Sequence, residues 1–235
     1  MVALRRRTLP DRIQRGPDEP TGDRIKELAE AFVEALLAGD EVGAEIAVRE
    51  AMDAELSTAE IDEEMIAPAL WLVGELWERG KISVAEEHLA TEIALRVLAL
   101  QREAQRVARS RLGRRVMLAT PTGELHMVAL RMVENLLRGA GYDVVMLGPD
   151  VPAKALGEVA KRLRVDVVCM SLTMAGRRSE ILSAIDNVRL VLPTAGFVVG
   201  GRGLSDEAHR RPVVHAAIAS LRWSRSSTRR SSGRA

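Results

Sequence analysis

The sequence predicts a two-part α/β protein: a bundle of four helices followed by a doubly wound parallel sheet. Three observations support this. Apolar residues recur at helical spacing through the first half. The second half holds short Val-rich runs separated by amphipathic segments. Aromatics are scarce, with three Trp, one Tyr and two Phe in 235 residues. The core must therefore be packed from Leu, Val, Ala, Ile and Met, which suits helices and buried parallel strands.

The first helix is expected over 23–38, with Ile25, Leu28, Phe32, Leu36 and Leu37 on one face and Gly39 as its stop. Asp40 can cap a second helix over 41–53, with Val42 and Ile46 one turn apart and Ala47 beside them. Ser57-Thr58-Ala59-Glu60 has the form of a capping box, in which the Ser hydroxyl and the Glu carboxylate satisfy each other's backbone N–H groups. The helix it opens runs to about Arg79, with Ile61, Met65, Ala69, Leu72 and Leu76 as its stripe. Pro68 predicts a kink within it. Gly80 ends it, and Ser83-Val84-Ala85-Glu86 is a second capping box opening a fourth helix to about Val107. Short turns between four such helices make a small bundle.

After a boundary near Arg109–Arg114 the period changes. Residues 114–120, 142–148, 165–173 and 196–201 read as strands, and 125–139, 152–164 and 178–191 as the helices between them. A fifth strand is expected at 212–216, with a short helix after it. The expected domains are thus a flexible segment at 1–22, the bundle at 23–109, the α/β domain at 112–221 and a basic Ser/Arg-rich tail at 222–235.

Composition excludes several classes. No apolar run approaches the ~18 residues of a membrane span. The N-terminal Arg residues precede no apolar stretch, so a secretory signal is not expected. The single cysteine, Cys169, lies in an apolar run and reads as a small buried hydrophobe. A cytoplasmic protein is the expectation. Residues 21–221 carry 24 basic against 30 acidic side chains, which argues against a nucleic-acid groove across the folded part.

In open parallel sheets, ligands sit beyond the carboxyl ends of the strands. Three loops fall there: Pro121-Thr122-Gly123-Glu124-Leu125-His126, Ser171-Leu172-Thr173 and Gly200-Gly201-Arg202-Gly203. His126 lies at the start of a helix, where a cation is disfavoured, so its imidazole should be neutral and able to bind a metal. Glu124 can accept the other ring N–H and fix the tautomer. One His with one carboxylate falls short of a structural zinc site, which takes four ligands. It suits a metal whose remaining ligands come from a macrocycle. The alternative is a loop His bonded to solvent or backbone. Gly200-Gly201 permits close approach of a bulky ligand, or simply a tight turn. Gly201-Arg202-Gly203 lacks the third glycine of a dinucleotide fingerprint, since Asp206 stands there. In the bundle, Trp77, Glu87 and His88 flank the turn at Gly80. They can form one end of a pocket; equally, Trp77 can be core and His88 a partner of Glu92, one turn on.

Together these pieces resemble the cobalamin-binding module, whose pattern is Asp/Glu-x-His-x-x-Gly, then Ser-x-Leu or Ser-x-Thr, then Gly-Gly. Here it reads Glu124-Leu125-His126-Met127-Val128-Ala129, then Ser171-Leu172-Thr173, then Gly200-Gly201. The resemblance covers about residues 23–215. It implies a helical-bundle cap on a flavodoxin-like doubly wound sheet, with cobalamin as cofactor. His126 would be the lower ligand of cobalt and Glu124 would orient it. Ser171, Thr173, Gly200 and Gly201 would line the slot for the cofactor's nucleotide tail. Ala129 replaces the family glycine, and its methyl group crowds that slot.

Trp77, nine intervening residues and then Glu87-His88 resemble the cap motif of adenosylcobalamin-dependent photoreceptors, the light-released repressors of carotenoid genes. That resemblance implies that Trp77 covers the upper ligand, Glu87 binds it and His88 supports the pocket. It also implies light-dependent self-association and a protein partner. About 22 residues precede the first helix, too few for the winged-helix DNA reader of those repressors, so no direct DNA-binding domain is expected. Glu78 follows the Trp, so a second cobalt-binding His at that position is excluded, and His88 is the alternative for that role. Some relatives pair cobalamin with a bilin, the expected second chromophore if there is one. The alternative is a corrinoid methyl carrier serving a methyltransferase, which shares the bundle, the sheet and the His loop. The first reading expects a chain that is not an enzyme; the alternative makes it a component of one.

Overall fold

The computed structural model describes residues 21–105 and 112–204. The expected strand at 212–216, the helix after it, the basic tail and nearly all of the N-terminal segment lie outside the described residues. Compactness divides the chain between Ile93 and Ala94.

The first unit begins with α1 (Thr21–Ala38) and α2 (Glu41–Asp53). Helix α1 buries Ile25, Leu28, Phe32, Ala35 and Leu36. Its end folds back on itself, with Asp40 N–H donating to the Ala35 carbonyl at 2.8 Å. The Asp40 side chain then caps α2 by accepting from Gly43 N–H at 2.9 Å. Helix α2 turns Ala44, Ala47, Val48 and Ala51 inward. The expected Val42–Ile46 face instead points outward, with those residues 66% and 51% exposed, as does Leu37 on α1. The reason is the two-residue connection. It brings the helices so close that a Cβ at Gly43 would lie 3.4 Å from that of Ala35, and only small side chains fit such a seam.

Helix α3 (Thr58–Ile61) opens on the expected capping box, Glu60 N–H donating to Ser57 Oγ and Ser57 N–H to Glu60 Oε2. A π-helical turn comes next at Asp62–Ile66, then α4 (Ala67–Glu78). The widened turn stands just before Pro68, which has no N–H to give to the preceding turn. A π-turn holds more than four residues, and the buried stripe recurs at every fourth position, Ile61, Met65, Ala69 and then Val73 rather than the expected Leu72. Helix α5 (Val84–Ala104) starts at the second capping box, with Glu86 N–H on Ser83 Oγ and Ser83 N–H on Glu86 Oε2.

The second unit takes the last half of α5. Asn135 Nδ2 donates to the Leu98 carbonyl at 2.9 Å. Glu134, almost fully buried, accepts from Arg138 and Arg131 and lies 3.8 Å from Arg102 of α5. Four strands then alternate with three helices: β1 (Arg115–Pro121), α6 (Val128–Gly139), β2 (Asp143–Val151), α7 (Ala153–Leu163), β3 (Val167–Ser171), α8 (Arg178–Val191) and β4 (Gly196–Gly200). All pairings are parallel and the order is β2-β1-β3-β4. Helix α6 begins three residues later than the sequence suggests, which leaves His126 in the loop before it.

Strand alternation divides the core in two. Met117, Ala119, Val168 and Met170 pack with Leu156 and Ala160 of α7 and Ile181, Ala184 and Val188 of α8. Val116, Leu118 and Cys169 face the other way, toward Leu130, Val133 and Leu137 of α6. No described helix is long and apolar enough to cross a membrane.

Burial in that second core pushes the Cys169 thiol up to about 12. The folded protein should therefore resist alkylation by a thiol reagent at pH 8, and react only once denaturant exposes the side chain. Rapid labelling of the native chain, followed by mass spectrometry, would contradict this placement.

Candidate functional site

Strand order reverses at β1, which has β2 on one side and β3 on the other. The crevice beyond the carboxyl ends of β1 and β3 is thus the switch point at which such sheets bind ligands. The loops after those two strands meet on one side chain, Glu124.

Glu124 is fully buried. Its Oε1 accepts from the His126 backbone N–H at 2.9 Å and from His126 Nδ1 at 2.5 Å. Its Oε2 accepts from the Thr173 and Met174 N–H groups, at 2.7 and 2.9 Å. Burial is the largest single influence on this carboxyl and raises its pKa. The hydrogen bonds from Met174, from the His126 backbone and ring and from Thr173 together outweigh it and hold the group below its ordinary 4.5. An ionised Glu124 requires the proton of a neutral His126 to sit on Nδ1. The lone pair is then on Nε2, and the side chain is 56% exposed. Carboxylate and imidazole thus form a pair of the kind that can present a ring nitrogen to a metal.

The rest of the predicted loop set lies around this pair. Ser171 is buried and pairs in register with Gly200 across β3 and β4. Thr173 is half-buried and joined to Glu124 through its backbone. Gly201 has φ 110°, and a Cβ there would lie 2.2 Å from the Leu172 carbonyl oxygen. Its bareness lets the loop after β4 close on the loop after β3. A Cβ at Gly200 would meet only open space. Ala129 is exposed in the first turn of α6.

Two residues of this neighbourhood were missed from the sequence. Thr120, fully buried, donates its hydroxyl to the Glu124 carbonyl and accepts from Asp150 N–H at 3.0 Å. Asp150 in turn accepts from Gly123 N–H at 2.7 Å. Strand β2 was expected to end at 148, so nothing in the pattern placed Asp150 beside the loop.

The other three predicted residues belong to the first unit. Trp77 stands at the end of α4 with its side chain 46% exposed, so the core-packing alternative does not hold within that unit. Glu87 and His88 lie in the first turns of α5. His88 Nδ1 is 2.6 Å from Glu87 Oε2, and Thr91 donates to Glu87 Oε1 at 3.1 Å. His88 therefore pairs with its neighbour rather than with Glu92.

Among the described residues no group of three or more His, Cys, Asp and Glu could hold a bare metal ion. The donor set at the loop is a single imidazole nitrogen on a rigid carboxylate. It fits a metal that arrives with its other ligands already in place, as cobalt does in a corrin. His126 would hold that metal and Glu124 would aim the ring.

The geometry generates two tests. A carboxyl held below 4.5 in the fold stabilises it above that pH, and the contribution is lost as pH falls through the lowered value. Melting temperature should therefore drop below about pH 4.5, and Glu124→Gln should flatten that drop. At neutral pH the variant should lose about 1–3 kcal/mol, because an amide nitrogen then faces N–H donors whichever way it is turned. Gly201→Ala should cost at least as much, through both its φ and the Leu172 carbonyl. Wild-type melting of either variant at pH 7 would contradict the described geometry.

Two family models, each described as a B12 binding domain, match residues 28–101 and 114–227. The HTH-type transcriptional repressor CarH of Myxococcus xanthus is 30% identical over 204 residues, covering 84% of this chain and 67% of that protein. Trimethylamine corrinoid protein 2 of Methanosarcina acetivorans is 33% identical over 138 residues, 57% of this chain and 63% of the relative. The structure of the monomethylamine corrinoid protein of Methanosarcina barkeri superposes with a TM-score of 0.65 at 20% identity, covering 83% of this chain and 98% of that one, and so shares the fold. The chain spans about two thirds of the length of these curated relatives, or slightly less. With both matched regions and 30% identity to a repressor of which it covers two thirds, the chain belongs to the B12-binding family and is a cobalamin-binding protein.

Proposed function

We propose that this chain is a cobalamin-dependent light-sensing regulator, acting through self-association and a protein partner. One observation carries the proposal. The match to the CarH repressor, at 30% identity, spans 84% of the chain and so takes in the segment that holds Trp77, Glu87 and His88. Exposure of the Trp77 indole supports a role beyond packing its own unit. Glu87, braced by Thr91 and His88, is suited to hold a hydroxyl-bearing ligand by charge-assisted hydrogen bonds. Adenosylcobalamin, when bound, supplies a light-labile cobalt–carbon bond. His126 would hold the cobalt, and the packing of Trp77 and Glu87 would respond to the group that the cobalt carries. A shift of a few kcal/mol in such packing is enough to reverse a two-state balance. The proposal needs no second pigment.

The second reading, a corrinoid methyl carrier of a methyltransferase system, is favoured by the 33% identity to the trimethylamine corrinoid protein. It uses the same His126 and Glu124 but calls for an open upper face. Ligand preference separates the two. As a light sensor, the chain should bind adenosylcobalamin at least as tightly as methylcobalamin, and Trp77→Ala should weaken only the adenosyl complex. Green light should change both the cobalt absorbance and the sedimentation of that complex. Photolysis with unchanged sedimentation, or a strong preference for the methyl form, would favour the carrier.

A further inference from the structure

We infer that Thr120 and Asp150 are positioning residues for the cobalt ligand: they form a bracket that sets the His126 loop before any cofactor binds. The inference rests on the reading of His126 as the cobalamin ligand and adds to it residues from the end of the neighbouring strand.

Three independent features meet at this point. The first is a break in register. Pairing of β1 with β2 is regular from Arg115↔Asp143 to Leu118↔Met146, then slips, Ala119 facing Gly148 and Pro121 facing Val151. Such irregularities increase local twist and re-aim side chains. Here the slip carries Asp150 over the loop that leaves β1. The second is the Asp150 backbone, held at φ 55°. L-residues other than Asn and Asp rarely occupy that region. The conformation turns its N–H toward Thr120 Oγ1 while its carboxylate reaches Gly123 N–H. The third is the Thr120 hydroxyl, which is buried and used twice, as donor to the Glu124 carbonyl and as acceptor from Asp150. A second bond from Asp150 N–H to the Glu124 carbonyl, at 3.1 Å, closes the bracket.

The result is that Glu124 is fixed at both ends. Thr173 and Met174 hold its carboxylate. Thr120 and Asp150 hold its main chain. The direction of the His126 ring is set by Glu124, so an error in the loop's path becomes an error in the position of His126 Nε2. Preorganisation of this kind lowers the ordering cost at binding.

The test uses the full chain and two readouts. Hydrogen–deuterium exchange of the apo-protein reports the loop directly. Titration with hydroxocobalamin, monitored by absorbance, reports affinity and whether an imidazole replaces the cofactor's own base. Asp150 is exposed, so its variants should fold. Asp150→Ala should speed exchange across 122–126 and weaken hydroxocobalamin binding about tenfold, within the range known for residues behind a metal ligand. Asp150→Asn, which keeps both the acceptor and the tolerance of left-handed backbone, should restore both. Asp150→Gly relaxes the backbone but lacks the acceptor, and should behave as the Ala variant does. Thr120→Val should repeat the Asp150→Ala result and Thr120→Ser should not. If Asp150→Ala exchanges and binds as wild type does, the bracket plays no such role. If His126→Ala binds as tightly as wild type, the ligand assignment fails instead, while the exchange data still decide whether the bracket holds the loop.

Discussion

A single buried carboxylate organises the site. Glu124 has four N–H groups around it, two from His126 and two from the loop after β3. A buried anion survives only when its lone pairs are filled. Meeting that demand with donors from two different strand ends ties those strand ends together. The tautomer of His126, the path of the loop after β1 and the position of Thr173 are therefore consequences of one electrostatic requirement. Loss of any donor leaves a charge that the protein interior cannot solvate.

The surrounding fold makes this demand easy to meet. A parallel sheet places all its carboxyl ends at one edge, so loops distant in sequence become neighbours. Residues 124 and 173 are adjacent because β1 and β3 are paired from Val116↔Val167 to Ala119↔Met170. The strict alternation of β1 gives each layer of helices its own core. The sheet is thus rigid on both faces, which makes it a fixed platform for the loops above it.

Much of this was legible in the sequence, for reasons that differ by element. The capping boxes at Ser57 and Ser83 form as read, because their chemistry is local and complete within four residues. The strands are found where Val-rich runs stand, most plainly for β1 and β3, which are buried on both faces. Glu124 and His126 were readable as a pair because they are two residues apart. The outward turn of Val42 and Ile46 was not legible, because helix periodicity does not say how close the neighbouring helix comes. Leu72 yielded its place to Val73 because a π-turn leaves no compositional mark beyond the nearby Pro68. Thr120 and Asp150 escaped notice since a slip in strand register is a property of two chain segments, and neither alone records it.

The bonds between Asn135 and the Leu98 carbonyl, and the gathering of Arg102, Arg131 and Arg138 about Glu134, reach back across the apparent linker between helix and sheet. They mean that the natural place to cut this protein is not the arginine-rich connection after α5. A fragment starting at residue 112 would strip a partner from Asn135 and leave Glu134 open to water on one side. One starting near Ala94 would carry its own seal, and is the sensible unit for dissecting the sheet half by expression or spectroscopy.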